Sequence, residues 1–91
     1  MRHAREEDLD RIEPLLEKLR TIDGLIEKSR GVFYRRSRAC LHFHADGDET
    51  YADVRLDGDE FERTRATTNA EQRALVASVQ RALGASAERV R

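Results

Sequence analysis

Apolar residues recur along this chain with two different periods. Leu9, Ile12, Leu16 and Leu19 fall at steps of three and four, with Leu15 and Ile22 alongside, which predicts a helix over about 8–21. Pro14 lies inside that stretch. It fits where the helix has just begun, because its missing N–H has no acceptor there. Asp10 followed by Glu13 resembles a capping box that starts the helix at that point; an earlier start with a kink at Pro14 is the alternative. Gly24 suits a left-handed helix terminus, and residues 25–29 have room for one short further turn.

From Gly31 the period becomes two. The runs VFYR (32–35), ACLHFHA (39–45), TYADVRL (50–56) and EFERTRAT (60–67) read as four short strands. They are joined by RSR and by two copies of DGDE, at 46–49 and 57–60, where Asp beside Gly is the chemistry of tight turns. A helical period returns at Leu75, Val76, Val79 and Leu83, opened by the capping box Thr68-Asn69-Ala70-Glu71 and closed at Gly84. This gives a second helix over about 69–83 and a frayed tail at 85–91. The order α-β-β-β-β-α is an α+β, two-layer sandwich spanning 1–91 as one domain. A three- to four-stranded antiparallel meander carries both helices on one face.

The register of the 39–45 and 50–56 hairpin follows from its turn. Leu41 faces Val54, Phe43 faces Ala52 and Ala39 faces Leu56, so all six core-side positions are apolar. On the other side Cys40 lies across from Arg55, His42 from Asp53 and His44 from Tyr51. Both strands agree on which face is wet. On the last strand Phe61, Arg63 and Arg65 point one way, while Glu62, Thr64 and Ala66 point the other, as in a charged edge strand.

Candidate chemistry concentrates on that wet face. His42 and His44 are two residues apart on a strand and project to the same side, ~7 Å apart at Cα. Asp53 lies across from the first. Two imidazoles and a carboxylate are the ligand types of an open zinc site or a facial-triad iron site. His42 oriented by Asp53 would also be the natural general base of an acid–base site. Tyr34, Cys40, Tyr51 and Arg55 complete a ligand or partner face. The DGDE strings are too short to wrap a calcium ion and read as turns.

Composition narrows the function classes. The net charge is −1, with 38% apolar and 38% charged residues and no Trp, so the core is lean and a homodimer is a reasonable way to bury more. The overall charge excludes a generally basic nucleic-acid or membrane-surface protein, yet charge is unevenly placed. Residues 28–38 carry five positive charges and no negative one, and residues 46–62 carry eight carboxylates against Arg55 alone. Arg35, Arg36 and Arg38 in the first hairpin are therefore a second candidate site, for nucleic acid or a small acidic ligand. The single cysteine excludes an intramolecular disulfide and a cysteine-based zinc cage. The first thirty residues hold no apolar stretch of signal-peptide type, and no run has membrane-helix length. The expected compartment is the cytoplasm. Of 17 basic side chains only Lys18 and Lys28 are lysines, a composition expected of a bacterium with a GC-rich genome.

Three local likenesses touch these residues. H-x-H followed by an acidic residue resembles one piece of the cupin motif, whose second half has no counterpart here. The first twenty residues, MRHAREEDLDRIEPLLEKLR, look like the opening helix of GNAT acetyltransferases, without that family's pyrophosphate loop. The element order is also similar to double-stranded-RNA-binding domains, which place lysines where this chain has TTNAEQR, with Glu71 and a single Arg73. No nucleophile motif or phosphate-cradling glycine loop is present. The sequence thus points to a binding or interaction module rather than an enzyme. It acts through its open sheet face as a homodimer and needs no cofactor. A divalent metal at His42, His44 and Asp53 is the alternative.

Overall fold

In the computed structural model, residues 1–89 are described, with side chains described through residue 84. The elements run β1 (Arg2–His3), α1 (Glu6–Arg11), α2 (Glu13–Arg20), β2 (Ile26–Ser29), β3 (Val32–Arg35), β4 (Arg38–Asp46), β5 (Glu49–Val54), β6 (Glu62–Arg65) and α3 (Asn69–Arg89). The expected α+β architecture is present: helices at both ends of the chain and an antiparallel sheet of six strands. The sheet order is β2-β3-β4-β5-β6, and β1 pairs with β4.

The predicted register of the central hairpin is observed. Leu41 pairs with Val54, His42 with Asp53, Phe43 with Ala52 and His44 with Tyr51, and the pairing continues to Asp46 and Glu49. The first DGDE is therefore a two-residue turn with Gly47 in the left-handed region at φ 60°. Leu41, Phe43 and Ala52 are buried on one side, against Leu15, Leu16 and Leu19 of α2 and Leu75, Val76, Val79 and Leu83 of α3. One apolar cluster thus joins both helices to one face of the sheet. Thr68 and Glu71 form the expected capping box, Glu71 N–H donating to Thr68 Oγ1 at 3.1 Å and Thr68 N–H to Glu71 Oε1 at 2.9 Å.

Several expected boundaries move. The helix predicted over 8–21 is two helices broken at Ile12, where φ is −111° and ψ 18°. The Pro14 ring would clash with the Asp10 carbonyl in a continuous helix, so α1 stops short of it and α2 takes Pro14 into its first turn. The cap is not Asp10–Glu13. Asp8 instead accepts from the Arg5 N–H at 2.9 Å. Residues 26–29 form a strand rather than a helical turn: Ile26 pairs with Tyr34 and Glu27 with Phe33, and the backbone pairing outweighs the local preference of a short polar run. The β4–β5 ladder ends at Val54, so Ala39 pairs with Tyr34 of β3 and not with Leu56. The second DGDE lies within a wider connection over 55–61, because Val54 already pairs with Glu62. Helix α3 passes through Gly84 to Arg89; the tail expected to fray, 85–91, falls outside the described side chains. No helix among the described residues is long and apolar enough to cross a membrane.

Strand β1 is held at both ends of its short length. Arg2 pairs with Ala45 and His3 with His44, and the Ala4 N–H donates to the Phe43 carbonyl at 3.1 Å. The Arg2 guanidinium grips both oxygens of Asp8, a carboxylate only 1% exposed. That grip and the Arg5 N–H pull Asp8 down to a pKa of about 2. Asp8 thereby ties β1 to α1 and fixes where His3 stands.

The tight β2–β3 turn gives a direct test of packing. Gly31 sits at φ 79°, and a Cβ there would approach Leu9 Cδ2 to 2.7 Å. Gly31→Ala combines left-handed strain with a clash against a core leucine, and is expected to cost about 1–3 kcal/mol. Thermal unfolding should show a melting temperature lowered by roughly 5–15 °C; an unchanged value would contradict the close α1–turn packing.

Candidate metal centre

Strand alternation sends His42 and His44 of β4 to the face opposite the helices, with Asp53 and Tyr51 of β5 beside them. Strand β1 adds His3 directly across from His44. All three histidines of the chain therefore meet on one patch. One ligand nitrogen from each lies within 4.8 Å of the other two. Ring centroids are 4.5 Å apart for His3 and His44, 5.3 Å for His42 and His44, and 6.1 Å for His3 and His42. His3 is exposed; His42 and His44 are half-buried.

Asp53 stands across from His42 as expected, but its carboxylate does not engage that ring. Its Oδ2 is 3.0 Å from His44 Nε2 but 3.9 Å from His42 Nδ1, beyond hydrogen-bond reach. Although Asp53 is the cross-strand partner of His42, its carboxylate leans diagonally to His44. The Asp53–His42 dyad expected for a general base is thus replaced by Asp53–His44. Arg63 of β6, which pairs with Asp53 in the ladder, binds the same carboxylate through Nε at 2.8 Å and Nη2 at 3.0 Å. The guanidinium holds Asp53 below the ordinary carboxylate range against the opposing effect of burial.

His42 is left with a buried Nδ1 that no protein group satisfies. Burial pushes its pKa down from 6.5, although the Asp53 charge pulls the other way. The imidazole is accordingly neutral at pH 7, the form that ligates metals. Phe61 packs edge-on against it at 4.9 Å between centroids and carries the Arg55 guanidinium 4.3 Å over its ring. The site is thus walled on one side by an aromatic residue and on another by the Asp53–Arg63 pair.

The remaining residues of the expected face are scattered. Tyr51 donates to Glu49 at 2.9 Å, and Tyr34 lies under the Lys28 ammonium at 4.7 Å. Arg55 donates to the Ala39 carbonyl at 2.6 Å. Cys40 is not on the open face: it is 2% exposed, belongs to the core, and its thiol donates to the Phe33 carbonyl at 3.5 Å. The cause is a register shift, since Phe33 pairs with Leu41 and Tyr34 with Ala39, leaving Cys40 as the extra residue of a bulge. Burial raises its pKa. Arg35, Arg36 and Arg38 lie together with Arg55 around a separate cleft.

Sequence reasoning missed His3 altogether and saw Arg63 only as a charge on an edge strand. A two-residue strand has no period to read. The one available signal was that Arg63 and Asp53 fall on the same face of neighbouring strands. No protein-family model, curated protein or solved structure matches the chain.

The titration of His42 has a definite sign. Its folded pKa lies below the unfolded value of 6.5, so the neutral ring contributes stability above that value, and this is lost as pH falls through and below it. Asp8 at about 2 and the depressed Asp53 titrate below this window. Urea denaturation of metal-free protein is expected to show lower stability at about pH 5 than at about pH 7.5, with a smaller difference in His42→Gln. An identical difference in that variant would remove the assignment.

Proposed function

We infer that this protein is a binding module whose open sheet face takes one divalent transition-metal ion at His3, His42 and His44. The observation that carries this reading is the convergence of all three histidines, from two strands, on one patch. Three imidazoles suit zinc, and also nickel, copper or iron, and leave further coordination positions open. In a tetrahedral zinc site ligand nitrogens lie about 3.4 Å apart, which modest side-chain rotation reaches from the present spacing. The unsatisfied Nδ1 of His42 is a polar atom that a metal-bound arrangement of the ring would account for. Asp53, already engaged by Arg63, serves to orient His44 in the way that carboxylates hold metal-bound imidazoles.

A homodimer closing the same face has less in its favour. Among the described residues the large exposed apolar side chains are Met1, Ile26 and Phe61, and the face is otherwise covered by ion pairs. A bacterial, cytoplasmic setting belongs to the proposal; the arginine-heavy composition and the single free cysteine support it.

Untagged protein stripped with a chelator and titrated with Zn(II) or Co(II) by calorimetry is expected to bind about one equivalent. His3→Ala, His42→Ala and His44→Ala should each weaken binding at least ~100-fold, and Asp53→Asn by about 10–100-fold. Stoichiometry below about a tenth of an equivalent, or affinity unchanged in the three histidine variants, would refute the site.

A further inference from the structure

A second cluster of charge lies on the other side of Phe61. Arg35 at the end of β3, Arg38 at the start of β4, Arg36 in the turn between them, and Arg55 just after β5 surround a cleft of about 350 Å³ with Cys40 at its floor. Two of these guanidiniums donate to main-chain carbonyls. Arg35 Nη1 donates to the Leu56 carbonyl at 3.2 Å, and Arg55 Nη2 to the Ala39 carbonyl at 2.6 Å. The Arg55 bond holds that cation in place without neutralising it. The buried Nε of Arg55 has no partner. Arg36 is exposed and makes no ion pair among the described residues, while Arg38 pairs with the exposed Asp59 at 3.1 Å. Against four guanidiniums the cleft wall itself supplies one carboxylate, Asp57.

The turn that presents these side chains is costly in local terms. Arg35 pairs with Arg38, so the loop is the two residues Arg36-Ser37, at φ 52° and 67°. Left-handed conformation at both positions is where hairpins use Asn-Gly. Here a charged side chain occupies the first position instead, the kind of backbone outlier that accompanies function. We propose that this cleft binds a small phosphate-bearing anion, clamped by Arg36, Arg38 and Arg55. Forked guanidinium donors match phosphate oxygens, and the volume fits a phosphomonoester of modest size. A nucleic-acid backbone fits less well, because Asp57 lies in the cleft wall, Asp59 pairs with Arg38 at its edge, and the net charge is −1. The proposal is independent of the metal reading and is tested on metal-free protein.

Inorganic phosphate, and separately a short single-stranded RNA, are titrated into isotopically labelled, chelator-treated protein at constant ionic strength and followed by amide NMR. Phosphate is expected to give saturable shifts at residues 35–40 and 55–58, weakened at least ~10-fold in the exposed double variant Arg36→Gln/Arg38→Gln. The turn-relieving variant Arg36→Asn/Ser37→Gly should keep or raise the melting temperature while losing phosphate affinity. That split separates a ligand role from a structural one. Shifts that do not saturate, shifts reproduced by chloride, phosphate affinity unchanged in both variants, or binding of RNA without binding of phosphate would each overturn the proposal.

Discussion

The β4–β5 ladder is the constraint on which the rest depends. In an antiparallel pair the side chains alternate strictly, so fixing one cross-strand pair fixes the destination of every other. Here the Gly47-Asp48 turn sets Asp46 against Glu49. Leu41, Phe43 and Ala52 must then enter the core beneath α2 and α3, and His42, His44 and Asp53 must face away. A one-residue slip would bury both imidazoles and the carboxylate and expose the apolar set. The apolar cluster that stabilises the fold thus also orients the candidate site.

A second, smaller constraint brings in the third histidine. Two backbone pairings are too few to hold a strand, and β1 relies on the Arg2 clasp on buried Asp8. The same carboxylate caps α1 through the Arg5 N–H. One buried charge therefore couples helix initiation, strand docking and the placement of His3. Its protonation is held down to a pKa of about 2, so the coupling persists at neutral and mildly acidic pH.

Much of this was legible in the sequence, and the misses have physical causes. The central hairpin was readable because its alternation is unbroken and its turn is Asp-Gly. The stripes of α2 and α3 were readable because they bury one face. Strand β2 was not, because it is an edge whose one large apolar residue, Ile26, points to solvent. Cys40 was assigned to the wet face by simple alternation, and a bulge against β3, which no local pattern reports, turned it inward. Asp53 was correctly paired with His42 in the ladder, but its carboxylate, held at both oxygens by Arg63, lies nearer the diagonal neighbour His44. Backbone register can be read from alternation; which of two adjacent rings a carboxylate selects depends on a third strand.

The proposed site is three imidazoles sharing one ion. Its most direct test is a crystal structure of the zinc-loaded protein, with the ion located by anomalous scattering at the zinc edge. The expected result is one ion about 2.0–2.1 Å from a ring nitrogen of each of His3, His42 and His44, with Asp53 still beside His44 and bonded to Arg63. Zinc bound elsewhere, on the acidic turns for example, with the three rings arranged as they are here, would contradict it.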